Sequence, residues 1–376
     1  MQAEKSILDK VLDSKEEKAL DEFNPLELIA TFLKELSAKE ADVIRRRFGL
    51  TSKNTETLES IGGSYSVTRE RIRQIESAAI KKIKELKNFE AVIKSEKEVI
   101  DHMFRRSGHI ISQEMMLNKL TELTDASRQA RMAIIFILSQ LLADKYEKVT
   151  EDEEVHDCWK EKGANWDFWR ETVEETIKIL EKNAKPIELT PFMDQLTKTE
   201  FYKNFEDKLN EEVVAAYIGV SKKIAKNPFA EYGLSSWGTV MPKRMHDRIY
   251  LVLKKEGKPM HFVDIAKRIT EVFKKNAYPP TVHNELILNE EYILVGRGIY
   301  ALEEWGYKPG IVSDVLADIL REKGQALIRD ELVTAVLKQR VVKKNTIHLA
   351  LTDKNIFKKL PGGKYDLVER EEKVEE

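Results

Sequence analysis

The chain has 376 residues, 42% of them hydrophobic and 34% charged, with a formal net charge of −2. The apolar share can build real cores, while the charged share implies much surface per unit volume, as a row of small helical modules would have. The lone cysteine, Cys158, excludes an internal disulfide framework and fits a reducing cytoplasm, and the most apolar stretch, 132–143, is far shorter than the roughly 20 residues that span a bilayer.

Near-zero net charge does not exclude nucleic acid, because binding follows local patches rather than the sum. Residues 69–87 carry seven basic and three acidic side chains, and residues 242–300 carry eleven and seven. The compensating acid lies in 147–161 and in 369–376.

Residues 1–24 read as a charged tail or small docking helix, with weak periodicity at Ile7, Leu8, Val11 and Leu12. Residues 25–90 form the next unit. Leu33, Leu36, Ala41, Val43, Ile44, Phe48 and Leu50 supply a supporting core, with Gly49 as a helix C-cap. A short helix is expected over 57–61, then a turn over 62–66, then a helix from 67 through 83. In that last helix Ile72, Ile75, Ala79, Ile83 and Leu86 recur at steps of three and four, which makes one buried stripe. At about 100° per residue, Arg69, Glu70, Arg73 and Gln74 fall opposite the stripe, with Arg71 on the flank. These residue types read base edges: Arg donates twice to guanine, Gln matches adenine and Glu accepts from cytosine. Thr68 is the expected N-cap.

Residues 26–87, with Leu36-Ser37-Ala38-Lys39-Glu40-Ala41, Arg47-Phe48-Gly49-Leu50, Thr57-Leu58-Glu59, Ile61-Gly62 and the run 67–75, resemble region 4 of the primary sigma factors of bacterial RNA polymerase. The resemblance implies a helix-turn-helix whose second helix reads a promoter −35 element. It implies base contacts from Arg69, Glu70 and Gln74, backbone contacts from Arg71 and Arg73, and docking of the supporting helices on the flap of the polymerase β subunit. The sequence departs from the family at Gly63 and Ser64, where longer polar side chains are usual. Nothing in it resembles the aromatic-rich region 2 that melts the −10 element, so a complete initiating sigma factor is not expected.

Residues 91–162 read as helices around 99–106, over 112–123 and over 127–142, then a hairpin through 146–159, a winged-helix pattern. The third helix is so apolar that the unit is expected to pack on partners rather than read bases. Residues 165–241 suggest a helical linker or a divergent winged helix, with helices over 166–180 and 211–225 and a strand-like stretch around 232–240.

The last third repeats. Arg297-Gly298-Ile299-Tyr300-Ala301-Leu302 and Gly362-Gly363-Lys364-Tyr365-Asp366-Leu367 lie 65 residues apart, as do Thr281-Val282-His283 and Thr346-Ile347-His348. This is one domain duplicated, each copy reading as three helices and a Gly-turned hairpin. The first copy, 242–306, with Lys258-Pro259-Met260-His261-Phe262-Val263-Asp264-Ile265-Ala266 and Pro280-Thr281-Val282-His283, resembles the HARE-type winged helix found in the delta subunit of Gram-positive RNA polymerase. The second, within 309–370, resembles it in degenerate form. An acidic tail, 371–376, closes the chain.

His283 and His348 fit structural roles at helix starts, and Tyr300 and Tyr365 fit wing residues packed on a core. Trp159, Trp166 and Trp169 fit interdomain packing better than base stacking. Cys158, His156 and His102 lack zinc-site spacing. No phosphate-cradling GxxxxGK[ST] loop and no HExxH motif occurs, so neither enzymatic activity nor a cofactor is expected. The expected fold is mainly α, with tandem small DNA-binding modules bearing short hairpin wings. The expected partners are double-stranded promoter DNA and RNA polymerase, in a bacterial cytoplasm at the nucleoid, with no membrane. The alternative is a polymerase-associated module that binds protein and has little DNA specificity of its own.

Overall fold

The computed structural model describes residues 20, 22–51, 54–124, 126–307 and 309–370. The acidic tail lies outside them, as does nearly all of the expected N-terminal docking segment. The fold is mainly α, with eighteen α-helices and twelve short strands among the described residues. No described helix is long and apolar enough to cross a membrane. Contacts divide the chain into two compact units, residues up to 226 with 230–236, and 227–229 with 237 onward.

The first unit opens with four helices, α1 (Pro25–Lys34), α2 (Ala38–Phe48), α3 (Leu58–Tyr65) and α4 (Arg69–Lys84). Local chemistry sets their ends. Ser37 and Glu40 form a capping box before α2, and Gly49 closes it at φ 64°, in the left-handed region that glycine adopts without strain. The expected turn over 62–66 is corrected: α3 runs on to Tyr65, and the chain turns at Ser66, φ 52°. Gly62 sits inside the helix because a Cβ there would lie 2.7 Å from the Val67 carbonyl. The glycine therefore serves close approach of the next segment rather than a bend.

Next come α5 (Phe89–Val92), α6 (Lys94–Arg106), β1 (Ile110–Ser112), α7 (Gln113–Glu122) and α8 (Arg128–Phe136), which passes into a π-helical turn over Ile137–Leu141, then β2 (Tyr146–Val149) and β3 (Cys158–Glu161). One continuous core joins this segment to the helices before it: Phe32 stacks on Phe89 at 5.5 Å, and Phe48 meets Phe136 edge-on at 4.8 Å. The apolar third helix thus packs on the chain's own α1 and α2. Its expected partner is intramolecular.

The unit continues with α9 (Trp166–Asn183), β4 (Ile187–Glu188), α10 (Leu189–Leu196), α11 (Glu200–Asn204), α12 (Glu211–Val220), β5 (Ile224–Lys226) and β6 (Glu231–Leu234). The helix expected over 211–225 stops at Val220, where Ser221 turns extended and pairs with Val155. Trp159 is buried in the core. Trp169 stacks on Trp166 at 4.6 Å and donates to the Tyr217 carbonyl.

The second unit holds α13 (Met245–Glu256), β7 (Met260–His261), α14 (Phe262–Phe273), α15 (Pro279–Leu288), β8 (Tyr292–Gly296) and β9 (Ile299–Leu302). It then repeats the pattern with α16 (Val312–Lys323), β10 (Leu327–Ile328), α17 (Arg329–Gln339), α18 (Lys344–Ala350), β11 (Phe357–Lys359) and β12 (Lys364–Leu367). His283 stacks on Phe262 at 4.4 Å and meets Tyr300 edge-on, so its ring fills space in the first copy. Tyr300 belongs to that copy's core.

The strand orders are β1-β3-β2, β4-β6-β5, β7-β9-β8 and β10-β12-β11. In each sheet the short strand that precedes the second helix pairs antiparallel with the last strand of the hairpin. The same connectivity thus occurs four times. Strands of two or three residues give little alternation to read, which is why β4, β7 and β10 have no sequence signal.

Candidate nucleic-acid interface

The helix-turn-helix is built on a small core. Val43 of α2, Ile61 of α3 and Ile72 of α4 are fully buried, with Leu58, Tyr65, Val67 and Ile75 packed around them. Farther along α4, Ala79 and Ile83 enter the larger core shared with α1, α2 and α8. The inner stripe of α4 is thereby fixed along its length, and its outer face has one orientation.

Thr68, Arg69, Glu70, Arg71, Arg73 and Gln74 are all exposed at the start of α4. Thr68 Oγ1 accepts from the Arg71 backbone N at 3.2 Å, the expected cap. Arg73 grips Glu70 with two hydrogen bonds, Nε to Oε2 at 2.8 Å and Nη2 to Oε1 at 2.7 Å. That pairing holds the Glu70 carboxyl below the usual carboxylate range and raises Arg73. Arg71 donates to Gln74 Oε1 at 3.2 Å. Both pairs are solvent-exposed, so each is worth little and can be exchanged for a stronger partner such as a phosphate or a base edge.

Behind this face, side chains that periodicity does not reveal hold α2 against α3. Arg46 donates to both Glu56 carboxylate oxygens, at 2.9 and 2.7 Å, and to Ser64 Oγ at 2.8 Å. The Glu56 pairing pushes the Arg46 guanidinium further up. Tyr65 donates to Asp42 at 2.8 Å, which raises the phenol. The departure at Ser64 is thereby absorbed into the support of the motif. Gly63 faces open space.

The basic patch is narrower than composition implies. Lys81, Lys82 and Lys84, on the second half of α4, pair with Glu85, Glu40 and Asp144 at 3.5–3.6 Å. At the start of α4 stand Arg69, Arg71 and Arg73, the last of them already paired with Glu70. In the longer run over 242–300, acid pairs with two of the basic side chains, Lys254 with Glu304 and Arg268 with Glu256 and Glu271. Cys158 is buried, with its thiol pushed up to about 12 by desolvation, and no group of described residues could hold a metal ion.

Residues 32–85 match the family described as Sigma-70, region 4. The match runs from the end of α1 through α4 and takes in the helix-turn-helix with its exposed face. The chain therefore carries a DNA-binding helix-turn-helix related to sigma factors.

Proposed function

We propose that the chain is a sequence-specific transcription regulator that reads a −35-like promoter element with α4 and modulates initiation by bacterial RNA polymerase. The observation that carries the reading is the exposed face Arg69, Glu70, Arg71, Arg73 and Gln74, mounted on a buried helix-turn-helix core. Arg69, Glu70 and Gln74 contact base edges. Arg71 and Arg73 contact phosphates, and the amides capped by Thr68 face the backbone. The self-paired Glu70–Arg73 and Arg71–Gln74 contacts are released as DNA supplies better partners.

The four segments that share one strand order act as winged helices in tandem, with 242–306 and 309–368 a HARE-type pair. They add phosphate contacts or bind polymerase. In the sigma family the supporting helices dock on the β flap. Here the apolar sides of α1 and α2 are filled by α8, so a flap contact would use their outer, polar sides. The alternative of a polymerase-bound module without DNA specificity drew its support from the acidic tail, which lies outside the described residues, and from the apolar helix over 127–142. That helix is consumed in the chain's own core. The protein works at the nucleoid.

Fluorescence anisotropy with a labelled −35 duplex and a scrambled duplex, with and without purified polymerase, tests the reading. The chain alone is expected to prefer the −35 duplex. Binding that appears only when polymerase is present would overturn it in favour of the alternative.

A further inference from the structure

In the second unit the segment after β9 joins the two copies of the repeat, and it is folded onto the first of them. Trp305 and Tyr307 pack against Ile293, Val295 and Ala301, which are buried on the outer face of the β8–β9 hairpin. β8 is also an outer strand of its sheet, in the order β7-β9-β8. An outer strand leaves a row of backbone groups without a ladder partner. Here residues 340–341 of the second copy lie against it: the Val341 backbone N donates to the Val295 carbonyl at 2.9 Å. The approach is so close that a Cβ on Gly296 would lie 2.6 Å from the Val341 carbonyl oxygen.

Arg340 stands at the centre of this contact. It follows α17, where the backbone turns extended at φ −144° and ψ 140°, and it is 4% exposed. Its Nη1 donates to the Leu294 carbonyl of β8, and its Nη2 donates to the Gly310 carbonyl of the joining segment at 2.7 Å. Burial pushes the guanidinium down from its ordinary value, with Asp314 as the opposing charge. In the first copy the residue 65 positions earlier is Lys275, which is exposed. The buried cation is therefore particular to the second copy, and both carbonyls lie outside the helices and strands of that copy. Separating the copies would strip the guanidinium of its bond to Leu294 and uncover it, which is costly for a buried charge.

We propose that Arg340 latches the two copies into one rigid body, with residues 340–341 closing the outer edge of β8. The third helices of the two copies, α15 and α18, are then held at one separation, and a ligand that meets both meets a single surface. The contrary arrangement is two independent modules on a tether. Arginine suits the latch because its planar fork donates to separate carbonyls from one fixed geometry. The inference does not depend on promoter reading by α4.

The test uses the full chain and two variants, Arg340→Met to remove the guanidinium and Gly296→Ala to wedge the same contact apart. Amide hydrogen exchange at Val341 is expected to quicken about tenfold or more in both, while the amides of α13 and α16 keep their rates. Dyes on Lys267→Cys and Lys354→Cys, the natural Cys158 being buried, should report one narrow distance in the otherwise unmodified chain and a broad spread in both variants. A broad spread without either variant would overturn the proposal. So would exchange and distance left unmoved by Arg340→Met, or protection lost in α16 as fully as at Val341 in both variants.

Discussion

Two helices of the first unit begin alike. Thr68 caps α4 and Ser127 caps α8, each hydroxyl accepting from the backbone N three residues on. They then diverge. In α4 the buried residues are Ile72, Ala79 and Ile83, one stripe with charge on every other side. In α8 and its π-helical continuation Ala130, Ala133, Ile134, Phe136, Ile137, Leu138 and Leu141 are all buried. A helix in the third position of a small module is therefore not a reading helix by position alone. What reads is the surface left over once the core is satisfied, and α8 leaves almost none.

The contrast can be broken most forcefully at Phe136, 1% exposed and set against Phe48. Phe136→Ala is expected to cost about 3 to 5 kcal/mol in urea unfolding of the first unit. Because the core is continuous, the helix-turn-helix should loosen with it; hydrogen exchange in α1 and α2 that stays at the unmodified rate would separate the two segments.

The two adjacent glycines of α3 sharpen it next. Gly62→Ala forces a Cβ against the Val67 carbonyl and should destabilise by about 1 to 3 kcal/mol. Gly63→Ala meets open space inside a helix and should stabilise by roughly 0.5 to 1 kcal/mol. Equal melting temperatures for the two variants would mean that the turn does not close as described.

At the proposed reading face the expected effects fall on binding, with folding untouched. Arg69→Ala should cost about 1 to 3 kcal/mol of discrimination at one base position. Arg71→Ala should weaken all duplexes about equally and lower the salt slope by roughly one. An Arg69→Ala chain that keeps full sequence preference in a gel-shift series removes that side chain from the reading set. At the caps, Thr68→Ala and Ser127→Ala should each lose about 1 kcal/mol of stability in chemical denaturation.

Much of the helix-turn-helix was legible because its signals are local. The step of three and four along α4, the cap at Thr68 and the glycine at 49 act within one or two turns. The 65-residue repeat was legible for another reason: two copies of one solution resemble each other whatever that solution is. The α3 turn was misplaced because glycine suits both a bend and a close approach, and only the position of the Val67 carbonyl distinguishes them. The Arg46–Glu56–Ser64 support was invisible because its members are ten and eighteen residues apart with no period. The entry strands escaped because pairing, not composition, makes two residues a strand.

By itself the sequence determined which residues share a helix face, where the main helices begin and what chemistry the outer face of α4 offers. Tertiary structure decided which faces stay outside. The apolar stretch over 132–143 is equally good for a partner's surface or for the chain's own core, and the hydrophobic effect has no direction of its own. The packing of Phe48 on Phe136 and of Phe32 on Phe89 settles that choice. It leaves Arg69, Glu70, Arg71, Arg73 and Gln74 exposed, the residues proposed as the face for DNA.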